Sequence, residues 1–182
     1  MNSGCVPFGH MMVASRILRD LALAKDMGIV CSSVSTDVST LLNRQKELIA
    51  FMQQGVKTLF SKRKITLIAG RGKLNGAGRV AVNGKTLSAR AIILAAGARW
   101  LKPDFAGSDL PQVVDSGYLL TAKELPKRCL VYGGGPWSIE IAQYLNRFGS
   151  QVWVVTQEEA LLHDESKAIR SRLAKALQTQ GV

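Results

Sequence analysis

Apolar residues change their spacing along this chain shortly after residue 61. Before that point they recur at intervals of three and four. Beyond it they fall into short runs or alternate. Over 7–27, Ile17, Leu18, Leu21 and Ala22 can share one helical face, and Gly28 ends the segment. A second helix is expected over 38–61, marked by Leu41, Leu42, Leu48, Ile49, Met52, Val56, Leu59 and Phe60, with Asp37 as its N-cap. Four short strands are then expected, at Ile65–Ala69, Arg79–Val82, Thr86–Ser88 and Ala91–Ala95. Asn83-Gly84 joins the middle two as a tight hairpin, because both turn residues tolerate positive φ. Residues 98–128 hold Pro103, Pro111, Pro126, Gly107 and Gly117 and read as a crossing segment that contains a domain boundary. From residue 129 the order is strand, helix, strand, helix: a buried strand Cys129–Tyr132, a helix Pro136–Phe148, a strand Gln151–Val155 and a helix over 165–180. In these helices Ile141, Ala142, Leu145 and Phe148, then Ile169, Leu173 and Leu177, face inward. No internal repeat or low-complexity tract interrupts the pattern.

A chain of 182 residues, 47% of them hydrophobic, suits one domain or parts of two. No apolar run reaches the length of a membrane span, and the first residues lack the basic and apolar regions of a secretory signal. Cys5, Cys31 and Cys129 are widely spaced, with no CxxC pair. That argues against a disulfide framework or zinc site and fits a reducing, cytoplasmic setting. The net charge of +11 would attract phosphate, acidic protein surfaces or nucleic acid. Lys62-Arg63-Lys64, between a helix and an expected strand, is the only compact basic cluster, and a solvated basic face accounts for the rest. With 6% aromatic residues and neither a stacking motif nor a recognition helix, a nucleic-acid-binding module is a minor reading.

The stretch CLVYGGGPWSIEIAQYLNRFGSQVWVVT carries the sharpest chemistry. A strand runs into Gly133-Gly134-Gly135, a helix follows, and a second strand ends about twenty residues on, as dinucleotide binding requires. Gly133 allows the tight turn, Gly135 lets a pyrophosphate approach the backbone, and the helix N-terminus offers amide donors to phosphate. Pro136 suits the first helical turn. Ser138 replaces the third glycine. Thr156 stands where an acidic residue would hold a ribose hydroxyl, with Glu158 and Glu159 following as substitute carboxylates. NAD and NADP both remain open, and a purely structural turn competes with the dinucleotide reading. Gly84-Lys85-Thr86 imitates the end of a phosphate-binding P-loop, but Arg79 occupies the position of the required first glycine. His10 and His163 form no catalytic pair. His10 is expected to face solvent, with the alternative that it acts on Cys5, and His163 is expected in a loop near Asp164.

In this order the motifs resemble the class I pyridine nucleotide-disulfide oxidoreductases, most closely the dihydrolipoamide dehydrogenases. The resemblance covers essentially the whole chain: GCVP entering a helix, LFSKRKITLIAGRGKLNGAGRV, AIILAAGARW, LPKRCLVYGGGPWSIEIAQYLNRFGSQVWVV and LAKALQTQG. It implies an α/β, Rossmann-like FAD/NAD(P)-binding architecture, with a partial FAD-binding domain over 1–110 and a partial NAD(P)-binding domain over 111–182. It further implies an enzyme that uses FAD and NAD and passes electrons from dihydrolipoamide, or exchanges them with another small or protein-bound disulfide, through a cysteine pair. Cys5 matches the flavin-side cysteine of that pair. Gly72 and the Ala96-Gly97-Ala98 stretch match FAD-contacting positions. Gly133, Gly134, Gly135, Pro136, Trp137, Ser138, Ile139 and Glu140 match the NAD loop, with Glu140 in the place of the glutamate that faces the nicotinamide.

The family's FAD glycine fingerprint and second redox cysteine would precede residue 1, and the rest of the NAD domain and the dimerisation domain would follow Val182. An internal fragment of a homodimeric enzyme, inactive alone, is the expectation. Pro7-Phe8-Gly9 replaces the family's Pro-Ser-Lys and removes a lysine close to the flavin; Ala96 replaces a threonine. These departures support the alternative of a non-catalytic NAD-binding or structural remnant.

Overall fold

The final strand-helix-strand stretch closes into the principal core. In the computed structural model, which describes residues 2–182, β4 (Arg128–Tyr132) and β5 (Gln151–Val155) pair in parallel, with Cys129 opposite Val152 and Val131 opposite Val154. Helix α3 (Pro136–Arg147) connects them, and its Ile141, Ala142, Tyr144 and Leu145 are buried. Gly149, in the left-handed region at φ 96°, turns the chain out of α3, and the Ser150 hydroxyl donates to the Pro126 carbonyl at 2.6 Å. The expected buried strand at 129–132 is buried on one face only. Cys129 and Val131 lie towards the core, whereas Leu130, Tyr132, Trp153 and Val155 leave the opposite face of the pair exposed.

Helix α1 (Cys5–Ala24) packs on α3 and continues into a 3₁₀ turn, Lys25–Met27, that Gly28 ends at φ 78°. Its buried face is Pro7, Phe8, Met11 and Ser15, not the expected Ile17, Leu18, Leu21 and Ala22, of which Ile17 is 54% exposed. Spacings of three and four occur on both faces of this helix, and the aromatic contact of Phe8 decides which one turns inward. Helix α2 (Val38–Lys62) starts as expected: Asp37 Oδ1 accepts from the amides of Ser39 and Thr40, and Oδ2 from the Thr40 hydroxyl. These bonds, the Thr40 hydroxyl foremost, hold the Asp37 carboxyl below its ordinary range. Gln45 of α2 is buried and donates through Nε2 to the Pro7 carbonyl at 3.0 Å, tying α2 to the start of α1. Helix α4 (Lys167–Thr179), N-capped by the Ser166 hydroxyl, buries Leu177 but leaves Ile169 exposed.

The chain divides into two compact units. One joins Met1–Met52 to Val114–Val182; the other is Gln53–Val113. The N-terminal segment clusters with the residues from Val114 onward, because the apolar face of α1 is buried on α3. Within Gln53–Val113, β1 (Lys73–Leu74), β2 (Arg79–Val82) and β3 (Lys85–Ser88) form an antiparallel sheet. Asn83 at φ 49° and Gly84 at φ 75° make its hairpin turn, with Val82 opposite Lys85. Ile65–Ala69 and Ala91–Ala95 are not strands. Both are apolar runs that no strand among the described residues pairs, and Leu67 and Ile93 stand exposed. Lys62-Arg63-Lys64 accordingly leads from the end of α2 into coil, not into a strand. No helix among the described residues is long and apolar enough to cross a membrane.

Candidate functional site

The three glycines after β4 occupy three different environments. Gly133 sits at φ 130°, and its amide donates to the Val155 carbonyl at 2.7 Å, which extends the β4–β5 pairing into the loop. A side chain there would meet Ser138 Oγ at 2.5 Å, so Ser138 fills the space against the turn. Gly134 is closed by Thr156: an added Cβ would lie 2.7 Å from Thr156 Oγ1. The Gly134 carbonyl accepts from the Leu162 amide at 2.8 Å, which draws the segment after β5 over the glycine turn. Gly135 is open. It is the N-cap of α3, has φ −82°, carries no side-chain cap bond, and has nothing within 4 Å of an added Cβ.

These residues form one wall of a cavity of ≈ 330 Å³. Gly133, Gly134, Gly135 and Pro136 line one side; Thr156, Glu158, Leu162 and the His163–Glu165 stretch line the other. His163 Nε2 lies 3.1 Å from Asp164 Oδ1, in the loop position expected for it. A helix start without a side-chain cap, set at the wall of a cavity that glycine keeps clear, suits the phosphates of a dinucleotide. Leu162 also belongs to this site. Its amide bond to Gly134 and its positive φ of 51° carry no mark in the sequence.

The remaining residues of the expected NAD loop turn elsewhere. Trp137 stacks with Phe8, ring centroids 4.4 Å apart, and its Nε1 donates to the Ser116 hydroxyl. Ile139 is buried and Glu140 is exposed on α3; neither lines the cavity. Cys5 is exposed at the first position of α1, and Cys31 is exposed in coil beyond the far end of that 20-residue helix. Cys129 is half-buried in β4, and burial pushes its thiol up from the ordinary value. His10 does not face solvent as expected: it is half-buried, and its Nε2 is buried without a hydrogen-bond partner among the described residues.

Gly72 and Ala96-Gly97-Ala98 belong to the other unit. Gly72 packs against Val80, where an added Cβ would lie 3.3 Å from its side chain, and Ala96, Gly97 and Ala98 are exposed coil. No cluster of metal-ligating side chains occurs among the described residues.

The chain is similar to dihydrolipoyl dehydrogenase from Acholeplasma laidlawii, 27% identical over the whole chain and 56% of that protein. It is 31% identical to mercuric reductase from Lysinibacillus sphaericus, over the whole chain and 34% of the relative. The chain therefore spans about half, or less, of the length of these relatives. In fold it is similar to the HOCl-induced flavoprotein disulfide reductase RclA from Escherichia coli, solved as a Cu(II) complex, with a TM-score of 0.77 at 24% identity over 99% of this chain and 38% of that one. The family model for pyridine nucleotide-disulphide oxidoreductases matches residues 2–182. A parallel strand pair carrying a glycine turn at an uncapped helix start, and a match that runs from residue 2 to the last residue, place the chain in the pyridine nucleotide-disulphide oxidoreductase family.

Proposed function

We propose that this chain serves in an FAD- and NAD-linked disulfide oxidoreductase of the dihydrolipoyl dehydrogenase type. In this reading it binds NAD at the Gly133–Gly135 turn and presents Cys5 as the flavin-side member of a redox cysteine pair. The nicotinamide, when bound, supplies hydride chemistry. The chain's own contribution is to receive the pyrophosphate at the open Gly135 amide and the start of α3, and to hold that turn rigid through Gly133, Gly134 and Thr156. The carrying observation is the contrast between Gly134, which Thr156 closes, and Gly135, which faces open space at the cavity wall.

Cys5 is exposed at the first position of α1. A dithiol cycle requires a second thiol to resolve the mixed disulfide. Cys31, past the opposite end of α1, and the half-buried Cys129 are poor substitutes, so the chain alone should show no dithiol turnover. The partners of this reading are dihydrolipoamide or another small or protein-bound disulfide, and a second subunit. Free thiols at Cys5 and Cys31 suit a reducing, cytoplasmic compartment.

A second reading, a non-catalytic NAD-binding or structural module, is favoured by one observation. Phe8, which stands where the family pattern places serine, is 3% exposed and committed to the core against Trp137. Calorimetric titration of the chain with NAD tests the site common to both readings. Saturable binding that Gly135→Ala weakens supports it, and no heat at millimolar NAD refutes it. Reduction of bound FAD by NADH and turnover with dihydrolipoamide in a protein containing this chain then separate enzyme from module.

A further inference from the structure

The net charge of +11 is not shared evenly between the two units. Gln53–Val113 carries eleven lysines and arginines but only two acids, Asp104 and Asp109, so +9 of the excess falls within it. Between Glu47 and Asp104 the chain has no acidic residue. All eleven of those cations are exposed. Of the eleven, only Lys102 pairs with a carboxylate among the described residues, that of Asp109. The antiparallel sheet of this unit shows where part of the charge points. Its register sets Lys73 opposite Ala81, Ala81 opposite Thr86, and Arg79 opposite Ser88. Alternation along the strands therefore puts Lys73, Arg79, Ala81, Thr86 and Ser88 on one face, and Leu74, Val80, Val82 and Leu87 on the other. Val82 is buried on the apolar face, whereas the two cations and two hydroxyl residues of the polar face are exposed. Lys73 and Arg79 are diagonal neighbours on adjacent strands, about 7–8 Å apart. Arg71 and Arg90 flank β1 and β3.

We propose that this polar sheet face, with Lys73 and Arg79 at its centre, binds the phosphate backbone of nucleic acid without reading its bases. Averaged over the whole chain, the charge reads as a solvated basic face. Confined to 61 residues and left almost without carboxylates, it is a field that only an external polyanion can neutralise. The make-up of the face selects among polyanions. It holds no aromatic or large apolar residue, so it offers a protein partner no buried anchor and a bilayer nothing to insert. Cations beside the hydroxyls of Thr86 and Ser88 are what phosphate oxygens accept from. Without a stacking side chain or a recognition helix on this face, the contacts carry no sequence information. The proposal is independent of the glycine turn and of the dinucleotide reading.

Fluorescence anisotropy of a labelled DNA duplex of about 20 base pairs, titrated with the 182-residue chain at about 50 mM salt and above, tests this. Binding should be saturable at the lowest salt, and log affinity should fall against log salt with a slope of about −2 to −4, at about −0.9 per phosphate contacted. A duplex of unrelated sequence should bind within about twofold. Lys73→Ser combined with Arg79→Ser should weaken binding by about tenfold and make the slope shallower by about 1.8, the share of two phosphates. Arg172→Ser combined with Lys175→Ser removes the same charge from exposed positions on α4 and should weaken binding by less than about threefold. Circular dichroism should be unchanged in both pairs. Equal weakening by the two pairs would assign the attraction to overall charge and overturn the proposal. So would the lack of saturable binding by the unaltered chain. Tighter binding to poly-glutamate, or to phosphatidylcholine vesicles containing about 30% phosphatidylserine, would give the face to an acidic protein or a membrane and overturn it as well. None of these outcomes bears on NAD binding at the glycine turn.

Discussion

Phe8 of α1 and Trp137 of α3 meet with ring centroids 4.4 Å apart and planes inclined by 59°. The contact joins the helix that begins at Cys5 to the helix that begins at the glycine turn. Phe8 lies three residues after Cys5 and Trp137 two after Gly135, so the two regions to which the family resemblance assigns chemistry share one aromatic pair. Phe8→Ala should destabilise the protein by about 3–5 kcal/mol, the cost of deleting a buried aromatic ring. Phe8→Ser, which restores the family's residue, should cost nearly as much and add an unpaired hydroxyl. In a double-mutant cycle with Trp137→Leu, about 0.5–1.5 kcal/mol should be specific to the ring pair. Urea denaturation measures each value. A Phe8→Ser protein as stable as the parent would show that the pair is incidental.

The glycine turn makes a sharper claim, because adjacent positions should respond oppositely. Gly134→Ala places a Cβ against Thr156 Oγ1, which can rotate away only by releasing the Glu158 amide. A loss of about 1–3 kcal/mol is expected, partly recovered by adding Thr156→Ala. Gly135→Ala has neither a steric neighbour nor a positive φ, so its stability should stay within about 0.5 kcal/mol of the parent. Its methyl group would instead stand in the path of a pyrophosphate, and NAD affinity should fall. Thermal unfolding and NAD calorimetry on the two variants give the comparison. Equal loss of stability in both would contradict the difference in their surroundings.

What the sequence made legible follows from how local each signal is. The Asn83-Gly84 turn, the Asp37 cap, the Gly28 stop and the βαβ unit around Gly133 are each encoded by residues close to one another in the chain, and each is in the structure. The inward face of α1 was not legible, since apolar residues occur at helical spacing on both of its faces and only the long-range meeting of Phe8 with Trp137 chooses between them. Ile65–Ala69 and Ala91–Ala95 failed for the same reason. An apolar run becomes a strand only where a neighbour offers a ladder, and the run does not encode its neighbour. At the site, the glycines were visible by spacing. The Leu162 amide bond to Gly134 and the committed Thr156 hydroxyl arise from the return of the chain after β5 and left no periodic trace.

Gln45 presents a further long-range bond. It is 2% exposed, and its Nε2 donates to the Pro7 carbonyl 38 residues away in sequence. Gln45→Leu keeps the apolar volume but removes the donor, and Gln45→Ala also opens a void. Losses of about 1–2 kcal/mol and about 2–3 kcal/mol respectively are expected from denaturant unfolding. The start of α1 should also lose amide-exchange protection in both variants, because this bond anchors the segment that presents Cys5. Unchanged exchange at Phe8 and Gly9 would show that α1 is held by its packing on α3 alone.

Tyr144 completes the account of the core. Its side chain is fully buried, its ring lies 4.6 Å from that of Phe148, and its hydroxyl has no hydrogen-bond partner among the described residues. Burial alone pushes the phenol from its ordinary 10.0 up to about 12. Between those values the unfolded chain releases a proton that the folded chain keeps. The contribution of this group is therefore complete below pH 10.0 and is lost as pH rises towards 12, at up to about 1.4 kcal/mol per pH unit. Cys129, also pushed up by burial from 9.0, acts in the same direction. Tyr144→Phe removes the unpaired hydroxyl, which otherwise remains buried at a cost. Stability at pH 7 should rise by about 1 kcal/mol, and the alkaline loss between pH 10 and 12 should become shallower. Denaturant unfolding of parent and variant across that range provides the measurement. Parallel curves would place the alkaline sensitivity elsewhere, with Cys129→Ser as the next substitution to compare.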